Sequence, residues 1–362
     1  MKVCIIGSKN LRHLTMTSVY TGILRKHSIS YDFLYLDGYG IEEKVDADHV
    51  YKYTAVLKNK TSLGRRIEIR YRTDRYKAFV TRLLDKNHYD FLIIWGHEAA
   101  AMLSRCLVKK YRHKYCVNIR DLWEMEKTCF TRKVFAAIKD ASFCTVSSDG
   151  FVRYLPDREY LFLHSALDIV TQNLHPAESA HEGAICITTI GTFRNDEYIK
   201  KLVDRLGMDK RFLLKFIGQG SERIEYYAAE KGYTNIVCRG AFPPEETAAL
   251  LEDADIINCA YGAETLAEMT KLPIRLYYAV YMLLPILSTE GTWITECASR
   301  LENAIVLSKD LTEKDLAQRI FDAYKCLDWE KMKLLLMQYR QKAEESHMVL
   351  ERELMKHIKQ ET

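Results

Sequence analysis

Short apolar runs alternate along the chain with segments whose apolar residues recur at helical spacing. The runs at 2–7 (KVCIIG), 31–36 (YDFLYL), 89–95 (YDFLIIW), 115–119 (YCVNI), 143–147 (FCTVS) and 161–164 (LFLH) predict one set of strands. A second set starts at 184–190 (AICITTI) and continues through 212–217 (FLLKFI), 235–239 (NIVCR), 254–259 (ADIINC), 285–289 (PILST) and 304–307 (AIVL). Helical segments lie between them, at 15–26, 99–111, 196–206 and 244–252 among others. Strand–helix alternation that stops and restarts predicts an α/β chain of two doubly wound domains.

The stretch 272–296 condenses the pattern. Pro273 suits the first turn of a helix, and 274–283 is almost wholly apolar, so that helix is expected to be buried on nearly all sides. Pro285 breaks it, a short strand follows, and Glu290-Gly291-Thr292 turns into another helix. A strand that enters a glycine turn and a helix start presents backbone amides to an anion. Arg275 is the only formal charge between Lys271 and Glu290, so it is either solvated at the helix start or aimed at a ligand.

The domain expectation is 1–165, a polar linker at 166–183, a second domain at 184–327, and a long charged helix at 328–362 packing back on the first domain. A chain of 362 residues, 48% of them hydrophobic, has material for two cores. No apolar run has transmembrane length, and MKVCIIG is not a signal peptide, so a cytoplasmic protein is expected. Ten cysteines without a C-x-x-C pair read as reduced core thiols.

Charge adds an asymmetry. Residues 1–165 carry 29 Lys/Arg against 18 Asp/Glu, and the remainder carries 24 against 31. The first domain is therefore basic and is expected to meet something anionic. The segment 65–82 concentrates this charge in Arg65, Arg66, Arg70, Arg72, Arg75, Lys77 and Arg82, with Ile67, Ile69, Tyr71, Phe79 and Val80 among them. Such a segment suits an anionic membrane surface or an anionic acceptor, and it is also what a solvated helix face looks like. No RNA-binding signature accompanies it, and no nucleic-acid partner is expected.

Candidate chemistry gathers at strand ends. His97 follows the strand 89–95, and Asp121 follows 115–119. His97 reads equally well as a core or capping histidine. In the second half Gly191, Gly218, Gly240 and Gly291 each follow a strand, where a missing Cβ lets backbone amides approach a ligand. With Arg194 and Arg275 they suit a nucleotide diphosphate. No G-x-G-x-x-G is present at the first strand, so a dinucleotide site is not indicated.

These residues resemble the GT-B glycosyltransferases of the retaining family-4 type, including those of bacterial capsule and surface-polysaccharide pathways. The resemblance rests on Ile190-Gly191-Thr192-Phe193-Arg194, Phe216-Ile217-Gly218-Gln219-Gly220, Arg239-Gly240-Ala241-Phe242-Pro243, and Leu272-Pro273-Ile274-Arg275-Leu276 with Glu290-Gly291-Thr292. In the first half it rests on Asn118-Ile119-Arg120-Asp121-Leu122-Trp123 and on Tyr154-Leu155-Pro156. It implies two Rossmann-like domains facing a cleft. It also implies transfer of a sugar, with retention, from a UDP-linked donor to a lipid-linked or glycan acceptor at the inner face of the plasma membrane. By resemblance, Gly191, Thr192 and Arg194 lie at the diphosphate, Gly218 and Gly220 at the nucleotide, Phe242 beside the base, and Arg275, Gly291 and Thr292 at the phosphate and sugar. His97 and Asp121 would orient the acceptor, and no metal or other cofactor is implied. One position departs from the family: Tyr278 stands where a ribose-contacting glutamate is usual, and Thr270 replaces the acid eight residues earlier. A non-catalytic module of the same fold, or a nucleotide-sugar epimerase, are the alternatives.

Overall fold

Parallel pairing builds both sheets of the computed structural model, which describes residues 1–14, 16–125, 127–166, 171, 173–176, 183–193 and 195–359. The chain divides into two compact units, Met1–His164 with Ser346–Thr362, and Ser165–Glu345. Most of the expected linker at 166–183 lies outside the described residues.

The first unit alternates β1 (Lys2–Gly7), α1 (Thr17–Lys26), β2 (Ser30–Asp37), β3 (His49–Thr54), α2 (Ser62–Asn87), β4 (Phe91–Trp95), α3 (His97–Lys110), β5 (Tyr115–Ile119), α4 (Thr128–Lys139), β6 (Phe143–Val146) and β7 (Leu161–Phe162). Its strand order is β3-β2-β1-β4-β5-β6-β7. Parallel strands need crossover connections, and helices in those crossovers cover the sheet. That is why β4, β5 and β6 are buried at every position and read as unbroken apolar runs.

The sequence pattern does not reveal β3. Its residues, HVYKYT, are exposed or half-buried because it is an edge strand, so no apolar run marks it. The strand expected at 161–164 is only two residues long, and the helix expected at 244–252 is a 3-10 turn, Pro244–Glu246, leading into a short α-helix.

The second unit runs β8 (Ile185–Ile190), α5 (Asp196–Leu206), β9 (Phe212–Ile217), α6 (Glu222–Lys231), β10 (Ile236–Arg239), α7 (Thr247–Leu251), β11 (Ile256–Asn258), α8 (Leu266–Thr270), α9 (Ile274–Met282), β12 (Ile286–Thr289), α10 (Trp293–Arg300), β13 (Ala304–Leu307) and α11 (Leu316–Lys325). Its sheet is β10-β9-β8-β11-β12-β13, again parallel. Leu202, Val203, Leu206, Phe212, Phe216, Ile256, Leu287 and Ile320 are among its core. α9 is buried from Leu276 to Met282, as its apolar sequence requires.

The last helix, α12 (Trp329–Lys359), has 31 residues and a length of roughly 46 Å. In the second unit Tyr339 stacks on Tyr277 at 6.4 Å and Arg340 lies over Tyr281 at 4.4 Å. In the first unit Glu351 accepts hydrogen bonds from Lys26 and His27, and His357 stacks on Phe91 and Phe143. All ten cysteines are free thiols.

Candidate functional site

In the second unit, strand order reverses between β8 and β11. Open parallel sheets hold ligands beyond the carboxyl ends of their strands at such a switch point. Gly191 ends β8 with φ +116°, and Gly218 ends β9 with φ +134°. A Cβ on Gly218 would stand 1.9 Å from the Gly191 carbonyl oxygen, so the two strand ends touch through their backbones. A Cβ on Gly191 would meet nothing within 4 Å, so space lies open over that turn. Gly220 and Gly291 also have positive φ, but Gly240 does not. A Cβ at Gly240 would stand 2.9 Å from Glu222 Oε1, so that glycine does not belong to the same kind of turn.

Beside the switch point, Asn258 ties two strand ends together. Its Nδ2 donates to Thr189 Oγ1 at 2.9 Å and its Oδ1 accepts from the Ala260 amide at 2.9 Å. Arg275, in the first turn of α9, donates from Nη1 to the Asn258 carbonyl at 2.6 Å. Its guanidinium lies 5.5 Å from the Tyr261 ring centre, and Lys271 Nζ lies 3.7 Å from the same centre. Two cations are therefore held at the end of β11. The fixed Arg275 has further N–H donors beyond the one that Asn258 uses, and guanidinium forks match phosphate oxygens.

Tyr278 lies one turn beyond Arg275 and is 8% exposed. Burial pushes its phenol up to about 12, with the Arg275 charge opposing that shift, so the side chain is neutral at physiological pH. Thr292 is buried, and its hydroxyl donates to the Thr289 carbonyl at 2.6 Å rather than capping α10. The Thr292 hydroxyl is thus engaged within its own turn. Phe242 is half-buried and Thr192 exposed. Arg194 lies outside the described residues.

The first unit has its own rim, at the carboxyl ends of β1, β2, β4 and β5. Gly96, with φ +88°, turns β4 into α3. His97 is 1% exposed, donates from Nε2 to the Trp123 carbonyl at 2.8 Å, and meets the Phe130 ring edge-on at 5.7 Å. It is buried against the 120–124 segment rather than exposed at the surface. Its neighbour Glu98 is half-buried. Glu98 pairs with Lys9 at 2.6 Å, and its Oε2 is 3.5 Å from His97 Nδ1. Burial works to raise the Glu98 carboxyl, but His97 and Lys9 outweigh it and hold the group below the usual carboxylate range. Asp121 is half-buried directly after β5.

Sequence reading singled out neither the Lys9–Glu98 pair nor the Lys271–Tyr261–Arg275 group. Asn258, a polar residue at the end of an apolar strand, was the available signal for the second.

The basic segment, 65–82, lies within α2. The helix starts at Thr61, whose hydroxyl accepts from the Gly64 amide, and buries only Tyr76, Val80 and Leu84. Leu63, Ile67 and Tyr71, spaced four apart, are 69%, 63% and 58% exposed. Arg65, Arg66, Arg70 and Arg75 are exposed around them, Arg75 over the Tyr71 ring at 4.9 Å, and Arg72 is half-buried. Among the described residues no helix is long and apolar enough to cross a membrane.

Two Rossmann-like parallel α/β units define the chain as one of the GT-B fold. Solved structures share that fold along the length of the chain. WaaG, described as a glycosyltransferase involved in lipopolysaccharide biosynthesis, is similar at TM-score 0.64 and 13% identity, over 94% of this chain and 95% of its own. A glycosyltransferase from Rickettsia africae is similar at TM-score 0.67 and 12% identity, over 99% of each chain. HepE from Anabaena, solved in complex with UDP and glucose, is similar at TM-score 0.66 and 11% identity, over 99% of each chain. No protein-family model and no curated protein sequence matches the chain.

Proposed function

We propose that the protein is a glycosyltransferase that takes a sugar from a UDP-linked donor and transfers it, with retention, to a lipid-linked or glycan acceptor of a cell-surface polysaccharide. The observation that carries this reading is the cradle at the β8/β11 switch point. There Gly191, at whose Cβ position nothing lies within 4 Å, ends β8, and Arg275 is fixed on the Asn258 carbonyl at the end of the neighbouring β11. Structures of the same fold bound to UDP and to UDP-glucose support it.

In the proposed reaction the acceptor hydroxyl replaces the nucleoside diphosphate at the anomeric carbon. The carbon–oxygen bond to the diphosphate breaks, the bond to the acceptor oxygen forms, and the acceptor proton passes to the leaving diphosphate. Arg194, Arg275 and the amides at Gly191 and Gly291 take up the charge that develops on that group, a role that requires no metal. Thr192, Gly218 and Gly220 belong to the same cradle, Phe242 to the base pocket, and Tyr278 to the ribose. On the acceptor side, His97 positions the 120–124 segment and Asp121 orients the incoming hydroxyl. The exposed stripe Leu63–Ile67–Tyr71, with Arg66, Arg70 and Arg75 around it, suits the anionic inner face of the plasma membrane.

The test is UDP binding followed by donor turnover. UDP is expected to raise the melting temperature, and Arg194→Ala to slow turnover by about a hundredfold, as for loss of one charge-stabilising donor. Unchanged turnover would remove Arg194 from the chemistry, and a melting temperature indifferent to every nucleoside diphosphate would end the donor reading. A second reading, a nucleotide-binding module without transfer activity, is favoured by Tyr278 at the usual acid's place; binding without product from any acceptor would select it.

A further inference from the structure

Beyond the ends of β1, β2 and β3, the first unit contains a cavity of about 470 Å³ lined by Ser8, Lys9, Asn10, His13, Leu36, Gly38, Tyr39, Val56, Leu57, Arg65 and Arg72. That size holds a small organic ligand rather than a few waters. Every wall residue belongs to the first unit, whereas Gly191 and Arg275 belong to the second.

The acids around the cavity are already occupied. Asp37 Oδ1 accepts from the amides of Tyr39, Gly40 and Ile41 and from Asn10 Nδ2. Glu43 accepts from the amides of Leu11 and Arg12, from Arg12 Nε and from Asn10. Glu68 accepts from the amides of Lys58 and Asn59. The three carboxylates thus brace the loops that form the walls.

The cations are not occupied in the same way. Lys9 pairs with Glu98. The guanidinium groups of Arg65 and Arg72 form no hydrogen bond or ion pair among the described residues; the Glu68 charge acts on Arg72, but Arg72 Nε is buried without a hydrogen-bond partner. Gly38 is what lets Arg72 in: a Cβ there would stand 3.2 Å from Arg72 Nη1. A buried guanidinium nitrogen without an acceptor is costly, and protein structures seldom leave one so. An anion with several oxygens would satisfy Arg72 and Arg65 together; Ser8 also lines the cavity, and the Tyr39 hydroxyl there is engaged with His13 Nε2 at 2.8 Å. Leu36, Val56 and Leu57 supply an apolar wall for the body that carries the anion.

We propose that this cavity binds a phosphate group, and that the acceptor of the proposed transferase enters it as a phosphorylated molecule. The second clause rests on the functional reading above; the first does not. The cavity also divides the basic residues of α2 into two groups: Arg65 and Arg72 line it, while Arg66, Arg70 and Arg75 do not.

The experiment is calorimetric titration of the full chain with inorganic phosphate and with glucose 1-phosphate, with UDP present at saturating concentration to occupy the other site. Arg72→Gln is expected to weaken phosphate binding roughly tenfold or more, as loss of a charge-assisted pair does. Arg65→Gln, an exposed position that puts no folding at risk, is expected to weaken it several-fold. Arg66→Gln and Arg70→Gln are expected to leave it unchanged. Absence of phosphate binding, or equal weakening by all four variants, overturns the pocket. Displacement of bound phosphate by glucose 1-phosphate identifies a sugar phosphate as the source. Displacement only by phosphatidylglycerol vesicles identifies a lipid headgroup, and either result upholds the pocket. Failure of UDP to bind while phosphate binding stays sensitive to Arg72→Gln removes the donor reading and leaves the pocket standing.

Discussion

Gly218 and Gly191 touch through their backbones: a Cβ on the first would lie 1.9 Å from the carbonyl oxygen of the second. Two strand ends can approach that closely only where one of them carries no side chain, and the φ of +134° at Gly218 excludes other residues a second time. Gly218→Ala must therefore either separate β8 from β9 at their carboxyl ends or force the strained backbone to shift. The expected loss is about 2–4 kcal/mol of stability, from strain plus clash. Gly191→Ala has the unfavourable φ but open space, so about 1–2 kcal/mol is expected. Urea unfolding of the two variants checks the order; equal losses would mean the close approach is not what selects glycine.

Arg275 is held by one bond to the Asn258 carbonyl, with Tyr261 beneath it. Arg275→Lys keeps the charge but loses the fork. UDP affinity is expected to drop about tenfold, because a guanidinium makes paired contacts with phosphate that an ammonium does not. Calorimetry with UDP measures it, and an unchanged affinity would place the diphosphate elsewhere.

Tyr278 is buried and neutral, with its phenol pushed up to about 12. Tyr278→Phe is expected to leave the unfolding midpoint where it is and to weaken UDP binding about fivefold, the value of one lost hydrogen bond. Uridine diphosphate titrated into both proteins decides the matter. If the variant binds as the parent does, the phenol is packing and the ribose is held by another group.

Asp37 is fully buried. Burial works to raise its carboxyl, but Asn10 and the amides of Tyr39, Gly40 and Ile41 outweigh that and lower it. A carboxyl whose folded pKa lies below its unfolded value of about 3.9 stabilises the fold above that value. The contribution is lost as pH falls through the folded pKa. Asp37→Asn places an amide among backbone N–H donors, so it is expected to cost about 2–3 kcal/mol at neutral pH. It is also expected to flatten the decline in stability as pH falls below about 4. A parallel decline in both proteins would show that other carboxylates govern acid unfolding.

The exposed stripe of α2 gives a prediction at the membrane. Ile67→Asp and Arg66→Gln are each expected to reduce co-sedimentation with phosphatidylglycerol vesicles, and salt is expected to weaken the parent's binding. Binding that is insensitive to salt and to both variants would leave the stripe a solvated face.

Twelve of the strands were legible in the sequence as short apolar runs, the central ones because a strand covered by crossover helices must be apolar along its length. β3 was not, because its residues, HVYKYT, mix polar with apolar on an exposed edge and form no such run. The glycines at 191, 218 and 291 were legible because positive φ leaves few other choices, whereas Gly240 looked the same and proved to be an ordinary turn beside Glu222. Arg275 stood out as the lone charge of an apolar stretch. That it is fixed by the carbonyl of Asn258, and shares Tyr261 with Lys271, depends on neighbours 17 and 14 residues away in the chain, brought together by the α9 turn. The same holds for Arg72, one of seven basic residues in its segment until the loops after β1 and β2 close over it. Local sequence determined the elements and their order, because hydrophobic period and backbone sterics act over a few residues. Tertiary structure decided which charged groups are satisfied and which are left for a ligand, because that depends on what lies across space from them.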